Sequence, residues 1–481
     1  MKRFYSITLF ITSLILLLSS CANPTRQLPS RPTQIVGHGQ WIALPRAKLQ
    51  VIADLAHAVQ RQYITAELAY DAFTKQLIML TGAQGLPAEC YYSSSCHYTN
   101  FENALNLLSG MFVWTGTHWH AEIVNSSSAY KKDLVPPTID SAELVPSNGS
   151  LVFDGNSNVL IDLASPQCIP EPIPSNVNPK TASFGGYVCH MSHTLRVWLY
   201  KFGSWSRVFP SRAGLPLSIV AGGYSSAYDP ATHQMVLFGG ISGSTKLCST
   251  CNGYLTNDTW LFNGTNWIEM HPNNHPAPRE GAAMVYDKST RKLLLFGGWG
   301  LSPNKYKVTR GHGGKLPAVV AYNDTWEWTG TNWVELHPKS YPLESSIPLG
   351  GYNAMTSGYV QPPRVLSAYD SALNAPVVLL EDGTANQNYL WEWTGTDWLG
   401  ISTNWVPRLT LNGHYGGTPG HSTASNLEGG IISALTYDPS TNQLIAVGNT
   451  AYPVNTKNKS LPIYTWVFHM QELSPTTSSA K

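Results

Sequence analysis

Cys248-Ser-Thr-Cys251 is the one place in the chain where two thiols stand at the CxxC spacing. That spacing serves dithiol redox chemistry when an apolar helix follows, and a zinc site when a second CxxC completes the ligand set. Neither companion is present, so the pair reads as a structural disulfide. His190-Met-Ser-His193 has a local spacing that two metal ligands could use, but no acidic partner stands nearby. His271 and His337 occupy equivalent positions, each in a His-Pro pair, which marks them as structural. No metal and no cofactor are expected. No Gly-X-Ser-X-Gly elbow, His-Glu-X-X-His or phosphate loop occurs. The main carboxylates of the long connections are Glu89, Glu102, Asp133, Glu171, Glu344 and Glu428, and nothing marks two of them as a glycosidase pair. What remains is a set of aromatics mixed with polar groups: Tyr91, Tyr92, Tyr98, Trp299, Tyr306, Arg310, His312, Tyr352, Tyr359, His414 and Tyr415. Aromatic faces stack on sugar rings or fill the centre of protein interfaces. Part of this set is expected to hold the loops together instead.

A repeated phrase supplies the frame for these residues. TWEWTGTNWVELHP (325–338) recurs as TWLFNGTNWIEMHP (259–272), LWEWTGTDWLGI (390–401) and MFVWTGTHWHAEI (111–123). Upstream of each stands an apolar run ending in Tyr-Asp, a turn, and a second run ending in Gly-Gly or a relic of it. Tyr70-Asp71, Phe153-Asp154, Tyr228-Asp229, Tyr286-Asp287, Tyr369-Asp370 and Tyr437-Asp438 mark six copies. Each copy reads as four short strands, with Gly in the tight hairpin between the third and fourth. Four-stranded units at this period predict an all-β chain, a six-bladed β-propeller. The sixth copy stops after its third strand at YTWVF (464–468). Its missing fourth strand is GHGQWIALP (37–45), which aligns with GTNWVELHP. The N-terminal strand is therefore expected to close the ring and cover an open sheet edge. The hairpin tryptophans are expected to wedge blade against blade.

Phe238-Gly239-Gly240 with Trp260 and Trp267, and Phe296-Gly297-Gly298 with Trp326 and Trp333, resemble the kelch repeat. Copies two, five and six lack the full Gly-Gly, and there the resemblance rests on Tyr/Phe-Asp and the Trp hairpin. Kelch-type propellers include copper radical oxidases that act on sugars, and a sialic-acid epimerase. The oxidases use a Cys cross-linked to a Tyr on a seven-bladed ring, and this chain has six blades and no spare Cys. The epimerase is similar in blade count alone.

The strand order puts the one-to-two and three-to-four turns on one face and all other connections on the opposite face. The second set is long: residues 83–110, 164–195, 241–257 and 299–322 within blades, and 124–145, 339–363 and 402–430 between them. Residues 46–65 belong with it, and the spacing of Leu49, Ile52, Leu55, Ala56 and Val59 predicts a short helix there. Ligand binding is expected on this loop face, with Tyr91, Tyr98, Trp299, Tyr306, Arg310, His312, Tyr352, His414 and Tyr415 as the candidates.

Residues 1–20 have a Lys2-Arg3 start and an apolar stretch, as a signal peptide does. The stretch ends in Leu-Ser-Ser-Cys21, which resembles the lipobox of bacterial lipoproteins and implies a lipid on Cys21. Residues 21–35 form a polar, Pro-rich tether, 36–473 the propeller, and 474–481 a frayed tail. The folded body is thus expected outside the cytoplasm, held at a cell or outer membrane by lipid. In that oxidising space the six remaining cysteines are expected as disulfides. Pairing within each loop gives Cys90–Cys96, Cys168–Cys189 and Cys248–Cys251. Charged residues make up 12% of the 481 and the net charge is +1, which argues against a nucleic-acid surface. A monomer that binds a glycan or a protein is expected. A carbohydrate-active enzyme at the ring axis and a purely structural envelope lipoprotein are the alternatives.

Overall fold

The computed structural model describes residues 35–44, 47–50, 63–84, 110–122, 150–164, 168–172, 187–191, 196–202, 204–208, 223–242, 254–308, 315–342, 348–351, 364–382, 387–403, 431–449 and 460–471. Among them there are strands and turns and no helix. Blade 1 consists of Tyr63–Asp71, Gln76–Gln84, Gly110–Trp114 and Trp119–Glu122. Blade 2 is Ser150–Asp154, Val159–Ala164, Arg196–Lys201 and Ser204–Val208. Blade 3 is Ser225–Asp229, Gln234–Phe238, Thr259–Phe262 and Trp267–Met270. Blade 4 is Ala283–Asp287, Lys292–Phe296, Thr325–Trp328 and Trp333–Leu336. Blade 5 is Arg364–Asp370, Ala375–Asp382, Gln387–Trp393 and Trp398–Thr403. Blade 6 takes Ile431–Asp438, Gln443–Asn449 and Ser460–Gln471 from the C-terminal part and Ile35–Ala43 from the N-terminal part.

Neighbouring strands within every blade are antiparallel. The first strand of each blade touches the first strand of the next, and blade 6 touches blade 1, so the six first strands form a closed ring. Serines tie these inner strands together: Ser225 Oγ donates to Ala282 O at 2.7 Å and Ser367 Oγ to Met284 O at 3.2 Å. Closure is as expected. Ile35–Ala43 pairs antiparallel with Ser460–Gln471, placing Trp41 opposite Phe468. Its first residues also pair parallel with Trp398–Thr403, which joins blades 5 and 6 into one sheet. The edge of blade 6's third strand is thereby covered.

The core follows from strand position. The second strands, QMVLF and KLLLF, are flanked on both faces and buried over their last four residues, so they read as continuous apolar runs. The fourth strands of blades 3 and 4 keep their Trp inside and turn the next two residues to solvent. Each fourth-strand Trp meets the aromatic that ends the third strand, with centroids 5.0–5.2 Å apart in all six blades. The indole also reaches the preceding blade. Trp333 lies 5.2 Å from Phe238 and its Nε1 donates to Thr259 Oγ1 at 3.0 Å. Trp398 does the same to Thr325 and Trp119 to Thr465, both at 2.9 Å. The wedging role expected of the tryptophans is thus observed, with an indole hydrogen bond added.

The recurrent Asp also has a physical role. Its Oδ1 accepts from the backbone N–H two residues on, at 2.8–2.9 Å in every blade. This side-chain turn ends with the fourth residue after the Asp at positive φ: Lys75, Asn158, His233, Arg291, Asn374 and Asn442.

Two expectations need correction. Leu49 lies in a strand, Ala47–Gln50, paired with the first residues of Ser460–Gln471. That long strand overhangs its blade and offers unpaired backbone groups, which outweigh the local apolar spacing that suggested a helix. Residues 51–62 lie outside the described residues. Secondly, the long connections are not plain loops. They contain the hairpins Cys168–Pro172 with Tyr187–Met191, Ile241–Ser242 with Tyr254–Leu255, and Trp299–Val308 with Lys315–Ala321. The last is widened by Pro348–Gly351 into a three-stranded sheet.

Candidate functional site

On the loop face the best-defined ground is the connection from blade 3 into blade 4, residues 271–282. It runs between the double glycines of the two blades. A Cβ on Gly239 would lie 2.5 Å from Arg279 O, and one on Gly298 2.8 Å from Glu280 O and Ala282 N. Only glycine lets the strand ends approach the connection this closely. The contact is hydrogen-bonded on both sides: Gly240 N donates to Arg279 O at 2.9 Å, and Trp299 N to Glu280 O at 2.9 Å. The Gly-Gly pairs thus set the height of Arg279 and Glu280 above the blades.

Arg279 is the anchor. It is 1% exposed. Nη1 and Nη2 donate to the two carboxylate oxygens of Asp324 at 2.5 and 2.7 Å, Nη1 also to Gly297 O at 2.9 Å, and Nε to Ala277 O at 3.0 Å. Its guanidinium lies 4.1 Å from the ring centroid of Tyr322. A bidentate pair with these added bonds satisfies a buried charge. Asp324 also accepts from Trp326 Nε1 at 2.8 Å. Burial pushes the Tyr322 phenol up, although the neighbouring Arg279 charge pulls the other way.

Glu280 differs from its surroundings. Its backbone exchanges two hydrogen bonds with Trp299. Its side chain points at Gly223, two residues before the first strand of blade 3, where an added Cβ would stand 2.8 Å from Oε2. That oxygen is sealed from solvent and has no hydrogen-bond partner among the described residues. Burial pushes the carboxyl up to about 8, so Glu280 is mostly protonated at neutral pH. Gly281 N donates to Gly223 O at 2.8 Å. Since both glycines sit at the loop-face ends of first strands, Glu280 stands at the mouth of the ring. The half-buried indole of Trp299 lies against Gly281. The arrangement offers a flat aromatic face, a neutral carboxyl able to donate or accept, and a rigid base.

Of the residues picked from the sequence, Trp299 is part of this cluster. Tyr306 is on the same strand, opposite Pro317 in the ladder. Tyr91, Tyr98, Arg310, His312, Tyr352, His414 and Tyr415 lie outside the described residues, as do Cys21, Cys90, Cys96, Cys248 and Cys251. Cys168 and Cys189 stand on paired strands, opposite Met191 and Pro170. No group of three or more His, Cys, Asp or Glu able to hold a metal occurs among the described residues. Glu280, Arg279 and Asp324 were not picked from the sequence. Their signal was present in Pro278-Arg-Glu-Gly281 just before a first strand, at the height of the Gly-Gly ends.

No protein-family model and no curated protein match the chain. Solved structures similar to it include a protein of unknown function from Dyadobacter fermentans DSM 18053, 9% identical with a TM-score of 0.41, over 92% of this chain and 99% of that one. A fungal alcohol oxidase of the AA5 family in complex with copper is 9% identical with a TM-score of 0.37, over 89% and 76%. The Hadza microbial sialidase Hz136 is 12% identical with a TM-score of 0.41, over 89% and 68%. With TM-scores below 0.5 these likenesses carry no argument, and the function has to be read from the chain's own residues.

Proposed function

We propose that the chain is a surface-anchored binding protein, outside the cytoplasm, that takes a glycan or protein ligand on its loop face. The lipid on Cys21 would hold it at the membrane. Three intra-loop disulfides would stiffen the long connections. The observation that carries the binding reading is the half-buried Trp299 beside Glu280, whose Oε2 is buried and unmatched. An indole face with a neutral hydrogen-bonding group suits a sugar ring, which presents an apolar face and hydroxyl edges. The Arg279–Asp324 base keeps both in place, and a site that is already ordered loses little entropy on binding.

A glycan array probed with the chain from Pro32 onward tests this. Binding of a glycan class is expected, with at least tenfold loss in Trp299→Ala at unchanged melting temperature. An array without a hit, or a hit indifferent to Trp299→Ala, would sink the glycan reading. The carbohydrate-active alternative has one observation in its favour: a carboxyl held near 8 is suited to general acid work. Turnover of a bound glycan that Glu280→Gln abolishes would replace the binding reading with that one.

A further inference from the structure

The turn face was expected to be plain, and at one place it is not. Four of the three-to-four hairpins put a glycine at positive φ three residues before the Trp: Gly116, Gly264, Gly330 and Gly395. Blade 2 has Phe202 there, at φ 52°. A bulky residue in the left-handed region is strained, and strain of this kind is normally offset by packing. Phe202 is 79% exposed. Its neighbour is Phe73, in the one-to-two turn of blade 1, with centroids 6.1 Å apart and 55% of Phe73 exposed. The matching contacts elsewhere are modest: Thr441 lies against Gly116 and Thr232 against Gly330. Blade 1 keeps a Thr, Thr74, at that position of its turn, so the two solvent-facing phenyl rings of Phe73 and Phe202 are an addition.

The fully exposed charges among the described residues of these turns are cationic. Lys75, Lys201, Lys288 and Arg291 are exposed in its turns. Lys201 Nζ lies 5.3 Å from the Phe202 ring centroid and donates to Ser157 O. The six first-strand aspartates are buried and bonded into their own turns. The other carboxylate among the described turn residues, Asp397, accepts from Ser340 N and Trp398 N at 2.7 and 3.0 Å. His118 and His233 are also exposed there.

We propose that the turn face rests on an anionic lipid surface, with Phe73 and Phe202 entering the headgroup region and Lys75, Lys201, Lys288 and Arg291 meeting the lipid charge. Exposed aromatics among cations are the chemistry of interfacial binding. Residues 21–35 allow it: about fifteen residues span at most about 50 Å when extended, so a lipid on Cys21 would keep the ring within reach of the bilayer. The loop face, on the opposite side, is then left open to ligand. Only the tether argument rests on the anchored reading given above. The surface chemistry does not.

The experiment is co-sedimentation of the chain from Pro32 onward, which holds every described strand in one compact unit, with lipid vesicles. Phosphatidylglycerol-containing vesicles are compared with pure phosphatidylcholine. At least tenfold preference for the anionic vesicles is expected, weakening with salt. Phe202→Gly should lose most of that binding while melting at or above the parent temperature, because glycine is the residue the other hairpins use. Lys75→Glu with Lys201→Glu should lose it too. Trp299→Ala should leave vesicle binding intact, so failure here and failure of the loop-face reading are seen separately. Absence of binding to either vesicle overturns the proposal and leaves the aromatic pair to a protein partner. Parent-like binding by Phe202→Gly also overturns it, as does loss on Trp299→Ala.

Discussion

The indole hydrogen bonds between blades allow a direct test of what fastens the ring. Trp333 Nε1 donates to Thr259 Oγ1 at 3.0 Å, and both side chains are 0% exposed. Thr259→Val keeps the shape and removes the acceptor. A buried N–H left unmatched costs about 1–3 kcal/mol. Thr259→Ser keeps a hydroxyl and should cost less, about 1 kcal/mol for the lost methyl. The repeat also supplies the opposite experiment. Val197 holds the Thr259 position in blade 2, in one cluster with Trp267 of blade 3. Trp267 Nε1 is buried and has no partner. Val197→Thr places a hydroxyl where three other interfaces have one, and should recover about 0.5–1.5 kcal/mol, less whatever the new O–H loses by burial. The double variant Val197→Thr/Thr259→Val moves one hydroxyl by one blade and should fall near the sum of the two changes. Urea denaturation followed by Trp fluorescence reads all four variants against the parent. If Thr259→Val matches the parent within about 0.3 kcal/mol, or Thr259→Ser costs as much as Thr259→Val, the bond is not what fastens blade 4 to blade 3.

Glu280→Gln should change how stability depends on pH. Between about 4.5 and about 8 the folded chain keeps a proton that the unfolded chain has released, so the parent loses stability as pH rises through that window, on the order of 4 kcal/mol in all; the stability difference between variant and parent, measured at pH 5 and pH 8.5, should grow in the variant's favour. Arg279→Lys breaks the bidentate pair with Asp324 and the stack on Tyr322, and should cost about 3–5 kcal/mol by denaturant midpoint. Deleting residues 37–45 removes Trp41 from Phe468 and bares the edge of Ser460–Gln471, so light scattering should report association; a monomer of unchanged stability would refute closure. Non-reducing peptide mapping should find Cys90–Cys96, Cys168–Cys189 and Cys248–Cys251, and a cross-blade pair would count against the loop assignment.

The ring could be read from the chain because each of its parts is written six times. Trp41 in Gly37-His-Gly-Gln-Trp41 was recognisable as the missing fourth strand since five other copies defined the phrase. The Asp at the end of each first strand was visible as a marker, but its work was not: the bond to the turn, and the positive φ four residues later, are geometric consequences that composition does not announce. Leu49 was misread because helix periodicity is a local signal, whereas the edge that captures Ala47–Gln50 is supplied by residues more than 400 positions away. Glu280 was missed for a related reason. Nothing local to Pro-Arg-Glu-Gly says that Gly223 of the previous blade will close over the carboxylate and strip it of water. Trp299 was legible because an aromatic directly after Gly-Gly has to leave the blade.

A chain built from copies carries its own control at every position, and the departures fall into two kinds. Where Val197, Met111 or Leu390 replaces the Thr that accepts an indole bond, an apolar contact takes over. Such a swap exchanges one stabilising term for another of similar size and needs no function to explain it. Phe202 and Glu280 are different. Each adds an unfavourable term: a left-handed phenylalanine whose contacts with Phe73 and Lys201 leave it 79% exposed, and a carboxyl whose Oε2 is buried without a hydrogen-bond partner among the described residues. Local inconsistency that the fold does not repay is what a binding surface leaves behind. That the two lie on opposite faces of the ring, one beside a half-buried indole and the other among lysines, is the physical reason for assigning the faces different partners.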